Sequence, residues 1–134
     1  MSKQRAEEVM DKYLTQVLGQ RKFELIPEFA GADMVDHTQS IRGPAALDAH
    51  ARGFCDNIED LEIDVVRIFA TDDTAVGIWR WRGSQTNPMG YSASGKRVAP
   101  TFIASIFTFE DGMLVDYRAF VDAMDILSQI ADAG

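Results

Sequence analysis

The chain has 134 residues, 46% of them hydrophobic, enough for one domain with a real core and too apolar for a disordered protein. A formal net charge of −8 removes the basic footprint that phosphate backbones and anionic membranes select, so neither nucleic acid nor membrane is an expected partner. The single cysteine, Cys55, allows no internal disulfide and no cysteine metal cluster, and the N-terminus lacks an apolar signal core; both point to a cytoplasmic protein.

In chain order, residues 4–18 form an amphipathic helix, with Ala6, Val9, Met10, Tyr13, Val17 and Leu18 at helical spacing. A short helix around Phe23–Phe29 follows, weakened by Pro27. Met34 to Ser40 is extended. Gly43-Pro44 opens a third helix whose inner face carries Leu47, Ala51 and Phe54. From residue 60 the period falls to two. Leu61, Ile63 and Val65 alternate with acids, and Val66 and Ile68 continue in the opposite phase, which predicts a bulge or sharp twist near Val65-Val66.

Thr71–Thr74 is a turn. Ala75–Gly83 is a strand with Gly77, Trp79 and Trp81 on one face and Val76, Ile78, Arg80 and Arg82 on the other. Residues 84–96 form a long loop, a candidate lid. Arg97–Phe109 is a long strand, Asp111-Gly112 a hairpin turn and Met113–Phe120 the returning strand. A last helix carries Val121, Met124, Leu127 and Ile130. With no internal repeat or linker, residues 1–134 read as one domain.

Three helical segments, four strands and a helix imply an α+β fold: a cone-shaped, curved antiparallel sheet wrapped by three to four helices. The apolar concavity of such a cone is a natural small-molecule site. No metal-binding, P-loop or dinucleotide motif is present, so no metal and no cofactor are expected.

The helical start, the stretch VDHTQSIRGPAAL, the segment SASGKRV before a strand, and FEDGMLVDYRAFVD followed by LSQI together resemble the SnoaL-like polyketide cyclases, within the nuclear-transport-factor-2-like superfamily. The resemblance spans about residues 5 to 131. It implies cofactor-free aldol closure of a polyketide ester by a carboxylate on the strand after the hairpin, with a histidine on the strand before it. Those positions fall on Ala119 and Ser105, and an asparagine of the early extended segment falls on Asp36. The expected acid and histidine are therefore both replaced.

Other residues must then carry any chemistry. Strand alternation puts Met113, Val115, Tyr117, Ala119 and Val121 inward and Asp116 with Arg118 outward. Asp122, at the start of the last helix, is a good N-cap and a lesser catalytic candidate. Asp36 and His37 are the remaining acid–imidazole pair, of which only one can face inward. His50 reads as a partly exposed helix residue. The catalytic candidates are thus Asp36, His37 and Asp122, and the expected ligand-binding residues are Trp79, Trp81, Ile103, Ser105, Tyr117 and Ala119. Ser105 and Tyr117 offer hydroxyls to a carbonyl oxygen.

Two readings stay open. One is an enzyme moving a proton beside the carbonyl of a small apolar or aromatic ligand. The other is a binding or assembly module that has lost the cyclase acid. An epoxide hydrolase is disfavoured, because the arginines of 75–83 alternate away from the tryptophan face. A homodimer is expected through the outer sheet face, which carries Val76, Ile78, Leu114 and Phe120.

Overall fold

The computed structural model describes residues 2–85 and 97–130. Helix α1, Lys3–Lys12, starts where Ser2 Oγ accepts the Arg5 N–H at 3.1 Å and buries Ala6, Val9 and Met10. The helix then widens into a π-helical stretch, Tyr13–Leu18, in which the Gly19 N–H bonds back five residues to the Leu14 carbonyl. The wider turn brings Tyr13, Leu14, Val17 and Leu18 all into the core. A 3₁₀ stretch, Phe23–Glu28, holds Pro27.

Five strands follow: β1 Ala30–Asp36, β2 Ile58–Ala70, β3 Thr74–Gln85, β4 Arg97–Glu110 and β5 Met113–Val121. Helix α2, Pro44–Asp56, lies between β1 and β2, and α3, Ala123–Ile130, follows β5. The sheet order is β1-β5-β4-β3-β2, with β1 parallel to β5 and every other pair antiparallel. Helices and curved sheet enclose one cluster of buried apolar side chains. Helix α1 lies close on the sheet at Gly77, where a Cβ would come within 2.8 Å of Met10 Sδ. Among the described residues, no helix is long and apolar enough to cross a membrane.

Several details differ from the expectations. The sheet has a fifth strand and is mixed rather than wholly antiparallel: the extended segment is Ala30–Asp36, and the chain turns from His37. At Gly31 the backbones run so close that a Cβ would meet the Leu114 carbonyl at 2.8 Å. The bulge in β2 falls as expected, between Val65 and Arg67, with Val66 turned out to solvent. Another register shift separates Thr108 from Phe109 opposite β5 and leaves Val115 as the extra residue. Leu114 therefore turns inward and is fully buried, which removes it from the outer face assigned to dimerisation. Val121 ends β5 rather than entering the last helix, and α3 buries Ile126 while Met124 and Leu127 stay exposed. Strand β3 continues to Gln85; the rest of the expected loop, 86–96, lies outside the described residues.

Candidate active site

The open end of the cone holds a cavity of about 370 Å³. One wall is α2 with its C-cap Asn57, and residues 50, 53, 54 and 57 recur at helical spacing along it. The facing wall is the concave sheet face, with Trp79, Trp81, Ile103, Tyr117 and Ala119; Tyr13 and Leu18 of the π-helical stretch and Ile126 of α3 close the sides. Phe54 stands edge-on to both tryptophans, with centroids 5.5 and 5.6 Å away, and fixes their planes. The volume lies at the lower end of the range for small-molecule sites, about 300–1,000 Å³.

A buried acid–imidazole pair meets this cavity. Asp36 ends β1 in register with Tyr117 and is fully buried. Its Oδ1 accepts the Thr38 N–H at 2.9 Å and the Thr38 hydroxyl at 2.7 Å. Its Oδ2 lies 2.7 Å from His50 Nδ1, and Thr38 Oγ1 lies 3.1 Å from the same nitrogen. Helix α2 can deliver His50 there because its first turn is tied to β1: the Gly43 N–H donates to the Met34 carbonyl at 2.9 Å. Burial alone would push the Asp36 carboxyl up, but the hydrogen bonds from His50 and Thr38 outweigh it and hold the group below the ordinary range. Asp36 is therefore ionised at neutral pH.

A carboxylate only accepts hydrogen bonds, so the nitrogen facing it bears a proton. Neutral His50 accordingly carries its proton on Nδ1 and keeps its lone pair on Nε2. No protein group among the described residues takes that nitrogen, and the ring lines the cavity, edge-on to Tyr117 at 5.2 Å. Such an imidazole can accept a proton from a bound molecule while the carboxylate behind it stabilises the cation.

Beside the imidazole runs a chain of buried polar groups. Trp79 Nε1 donates to Ser105 Oγ at 3.0 Å, and Ser105 Oγ lies 3.3 Å from Tyr117 Oη. The Tyr13 ring packs against the same phenol, with centroids 5.8 Å apart. Burial pushes the Tyr117 hydroxyl up to about 12, against the opposing pull of Ser105 and Tyr13, so it stays neutral. Indole N–H can only donate, so Ser105 must accept there and is free to donate onward. With Ser105 donating to Tyr117 Oη, the Tyr117 proton remains for an oxygen in the cavity.

Of the residues expected to bind ligand, Trp79, Trp81, Ile103, Tyr117 and Ala119 line the cavity, whereas Ser105 is fully buried behind Tyr117 and reaches it through that phenol. Asp36 faces inward but lies beneath His50 rather than on the wall. His37 points outward and pairs with Asp116 at 2.8 Å. Asp122 caps α3, accepting the Asp125 N–H at 3.0 Å, and is absent from the cavity wall. Sequence reasoning missed His50 and Tyr13. The available signal for His50 was its place one turn before Phe54, on the edge of the apolar stripe of α2. Among the described residues, no three His, Cys, Asp or Glu side chains gather closely enough to hold a metal ion.

A helix-lined cone with a largely apolar cavity and a few convergent polar groups defines a nuclear-transport-factor-2-like small-molecule protein. The family model for SnoaL-like polyketide cyclase matches residues 8–130, and the chain belongs to that family. No curated protein matches by sequence. Among solved structures, TsrD from Streptomyces laurentii is 20% identical, with 98% of each chain covered and a TM-score of 0.85. A SnoaL-like polyketide cyclase from Agrobacterium tumefaciens is 14% identical over 92% of this chain and 96% of its own, with a TM-score of 0.78. An LEH-like epoxide hydrolase from M. tuberculosis is 18% identical over 96% of this chain and 90% of its own, at a TM-score of 0.69. At these identities the likeness concerns the fold.

Proposed function

We propose that the protein is a cofactor-independent enzyme of one domain that moves a proton next to the carbonyl of a small apolar or aromatic substrate. His50 is the proton carrier, in place of Asp36 or His37; Asp36 is its positioning residue. His50 Nε2 takes the proton from the carbon beside the carbonyl, the C–H electron pair becomes an enolate, and the Tyr117 hydroxyl donates to its oxygen. Return of the proton to another carbon makes an isomerase. Attack of the enolate carbon on a second carbonyl of the same molecule, with the proton passing from His50 to the new alkoxide, makes a cyclase. The observation that carries this reading is the 2.7 Å contact between His50 Nδ1 and the fully buried Asp36, behind a ring that lines the cavity.

The test is deuterium uptake by 1-tetralone in D₂O, followed by mass spectrometry. The wild type should speed exchange beside the carbonyl, and His50→Ala should remove most of that acceleration. Equal rates for the two proteins refute the assignment. Absence of any acceleration favours the binding module, whose support is the Ala119 and Ser105 pair opposed across β4 and β5.

The same reading places the protein in the cytoplasm as a homodimer. Support for pairing comes from Phe102 and Phe120, both more than half exposed on the outer sheet face. Sedimentation at high micromolar concentration should give a dimer, and a monomer there refutes it.

A further inference from the structure

We infer that Trp81 and Thr101 form a second polar anchor at the cavity wall, one that takes an uncharged oxygen of the bound molecule at the end away from His50. The inference rests on the reading of the cavity as the reaction site. Along β4 the inward residues are Thr101, Ile103, Ser105 and Phe107, all buried. Two of the four are polar. Ser105 is engaged by Trp79 and Tyr117, whereas Thr101 Oγ1 has no hydrogen-bond partner. Valine, of the same branched shape, would suit the strand with no polar atom to satisfy.

Thr101 lies in register with Trp81 on β3, so the two side chains stand side by side on the concave face. Trp81 is 1% exposed and lines the cavity, and its Nε1 also lacks a partner. The two groups do not bond to each other: Phe54 packs edge-on against the Trp81 ring, at 5.6 Å and 90°, and sets its plane. Native interiors seldom leave such groups unpaired, and one oxygen between them satisfies both.

The chemistry fixes the class of that oxygen. Indole N–H only donates, and a threonine hydroxyl without another partner can donate as well, so both protons go to one acceptor. Arg80 and Arg82 lie on the opposite sheet face, paired with Asp64 and Glu62. An anion between Trp81 and Thr101 would be buried with neither cation beside it, a cost that a carbonyl, ether or hydroxyl oxygen escapes. Thr101 is four residues from Ser105 along β4, roughly 13 Å. Tyr117, hydrogen-bonded to Ser105, holds the reacting carbonyl, so the second oxygen lies at the other end of the ligand. The ligand class is a ketone with an uncharged oxygen at its far end.

The experiment measures the affinities of 4-cyclohexylcyclohexanone and 4-(4-hydroxycyclohexyl)cyclohexanone by titration calorimetry. The two differ by one hydroxyl, at the end opposite the ketone. The wild type should bind the hydroxylated ketone about tenfold tighter, the worth of one or two hydrogen bonds. Thr101→Val and Trp81→Phe should each bring that ratio close to one, while Thr101→Ser, which keeps the hydroxyl, should preserve it. The ratio cancels any general loss of packing in a variant. Without ligand, Thr101→Val should melt about 4 °C above the wild type, since it removes an unsatisfied buried hydroxyl. A wild type that binds both ketones equally, or a Thr101→Val protein that keeps the preference, overturns the anchor and leaves the His50 reading standing. A Thr101→Val protein that melts below the wild type means that water already satisfies the hydroxyl, which also overturns the anchor. A wild type that binds neither ketone overturns both readings.

Discussion

Asp36→Asn separates the chemistry of the buried pair from its packing. The change is nearly isosteric and removes one charge. The Thr38 backbone N–H can only donate, so the amide must keep its oxygen at the Oδ1 position, where it now accepts from Thr38 at 2.9 Å. The amide NH₂ is thereby turned toward His50 Nδ1, in the place of Oδ2. A donor there forces Nδ1 to accept, and the imidazole proton moves to Nε2. The cavity then faces an N–H instead of a lone pair, and the base is lost.

The stability cost follows from three contacts that change from charge-assisted to neutral, each losing roughly 1 kcal/mol. Relief of the buried charge offsets part of this, for a net cost of about 2 kcal/mol, or about 7 °C in Tm for 134 residues. The pH dependence has a definite sign. The folded Asp36 carboxyl lies below its ordinary value of 3.8, so its contribution is complete above that value. It disappears as pH falls through the lower folded value. The wild-type advantage should thus be full near neutrality and shrink toward pH 2. Calorimetry across that range and ¹⁵N–¹H correlation of the imidazole read the two effects separately. A variant whose His50 keeps its proton on Nδ1, or whose deficit is the same at pH 7 and pH 2, refutes the reasoning.

Other substitutions probe the remaining parts. Tyr117→Phe should lower kcat for deuterium exchange by about 10²–10³ with little change in KM, measured by steady-state kinetics; a raised KM with unchanged kcat would mean the phenol only binds. Ser105→Ala strands the Trp79 indole N–H in a buried site and should cost about 1–3 kcal/mol in urea unfolding, whereas a neutral result would remove the hydrogen-bonded chain. Gly77→Ala presses a methyl against Met10 Sδ and should destabilise by about 1–3 kcal/mol in the same assay; an unchanged midpoint would mean that α1 shifts freely on the sheet.

The alternation of Trp79 and Trp81, the phase slip at Val66 and the cap at Asp122 were legible because each is a local consequence of backbone period or capping geometry. The fifth strand was not, since AGADMVD shows no alternation; its pairing is made by β5, about eighty residues away. The orientation of Leu114 depended on the unpaired Val115, which no residue type announces. His50 escaped for a different reason. Helical periodicity divides residues into wet and dry faces, and a cavity wall is a third environment at their margin. Residues 50, 53 and 57 occupy that margin beside the dry stripe of Leu47, Ala51 and Phe54. Likewise, Asp36 acquires its meaning only from a histidine on another element.

The π-helical turn over Tyr13–Leu18 has a consequence for how this site can vary. A turn closed by five-residue hydrogen bonds holds about one residue more than an α-helical turn spanning the same rise. Removal of one residue inside it, such as the half-exposed Thr15, would let the segment close as ordinary α-helix without rotating α1 against the sheet. The fold would absorb that deletion, while the wall formed by Tyr13 and Leu18 would be redrawn and the Tyr13 ring drawn away from Tyr117. A single lost codon in this turn is thus a route by which a related protein could keep the cone and exchange one ligand, or one reaction, for another.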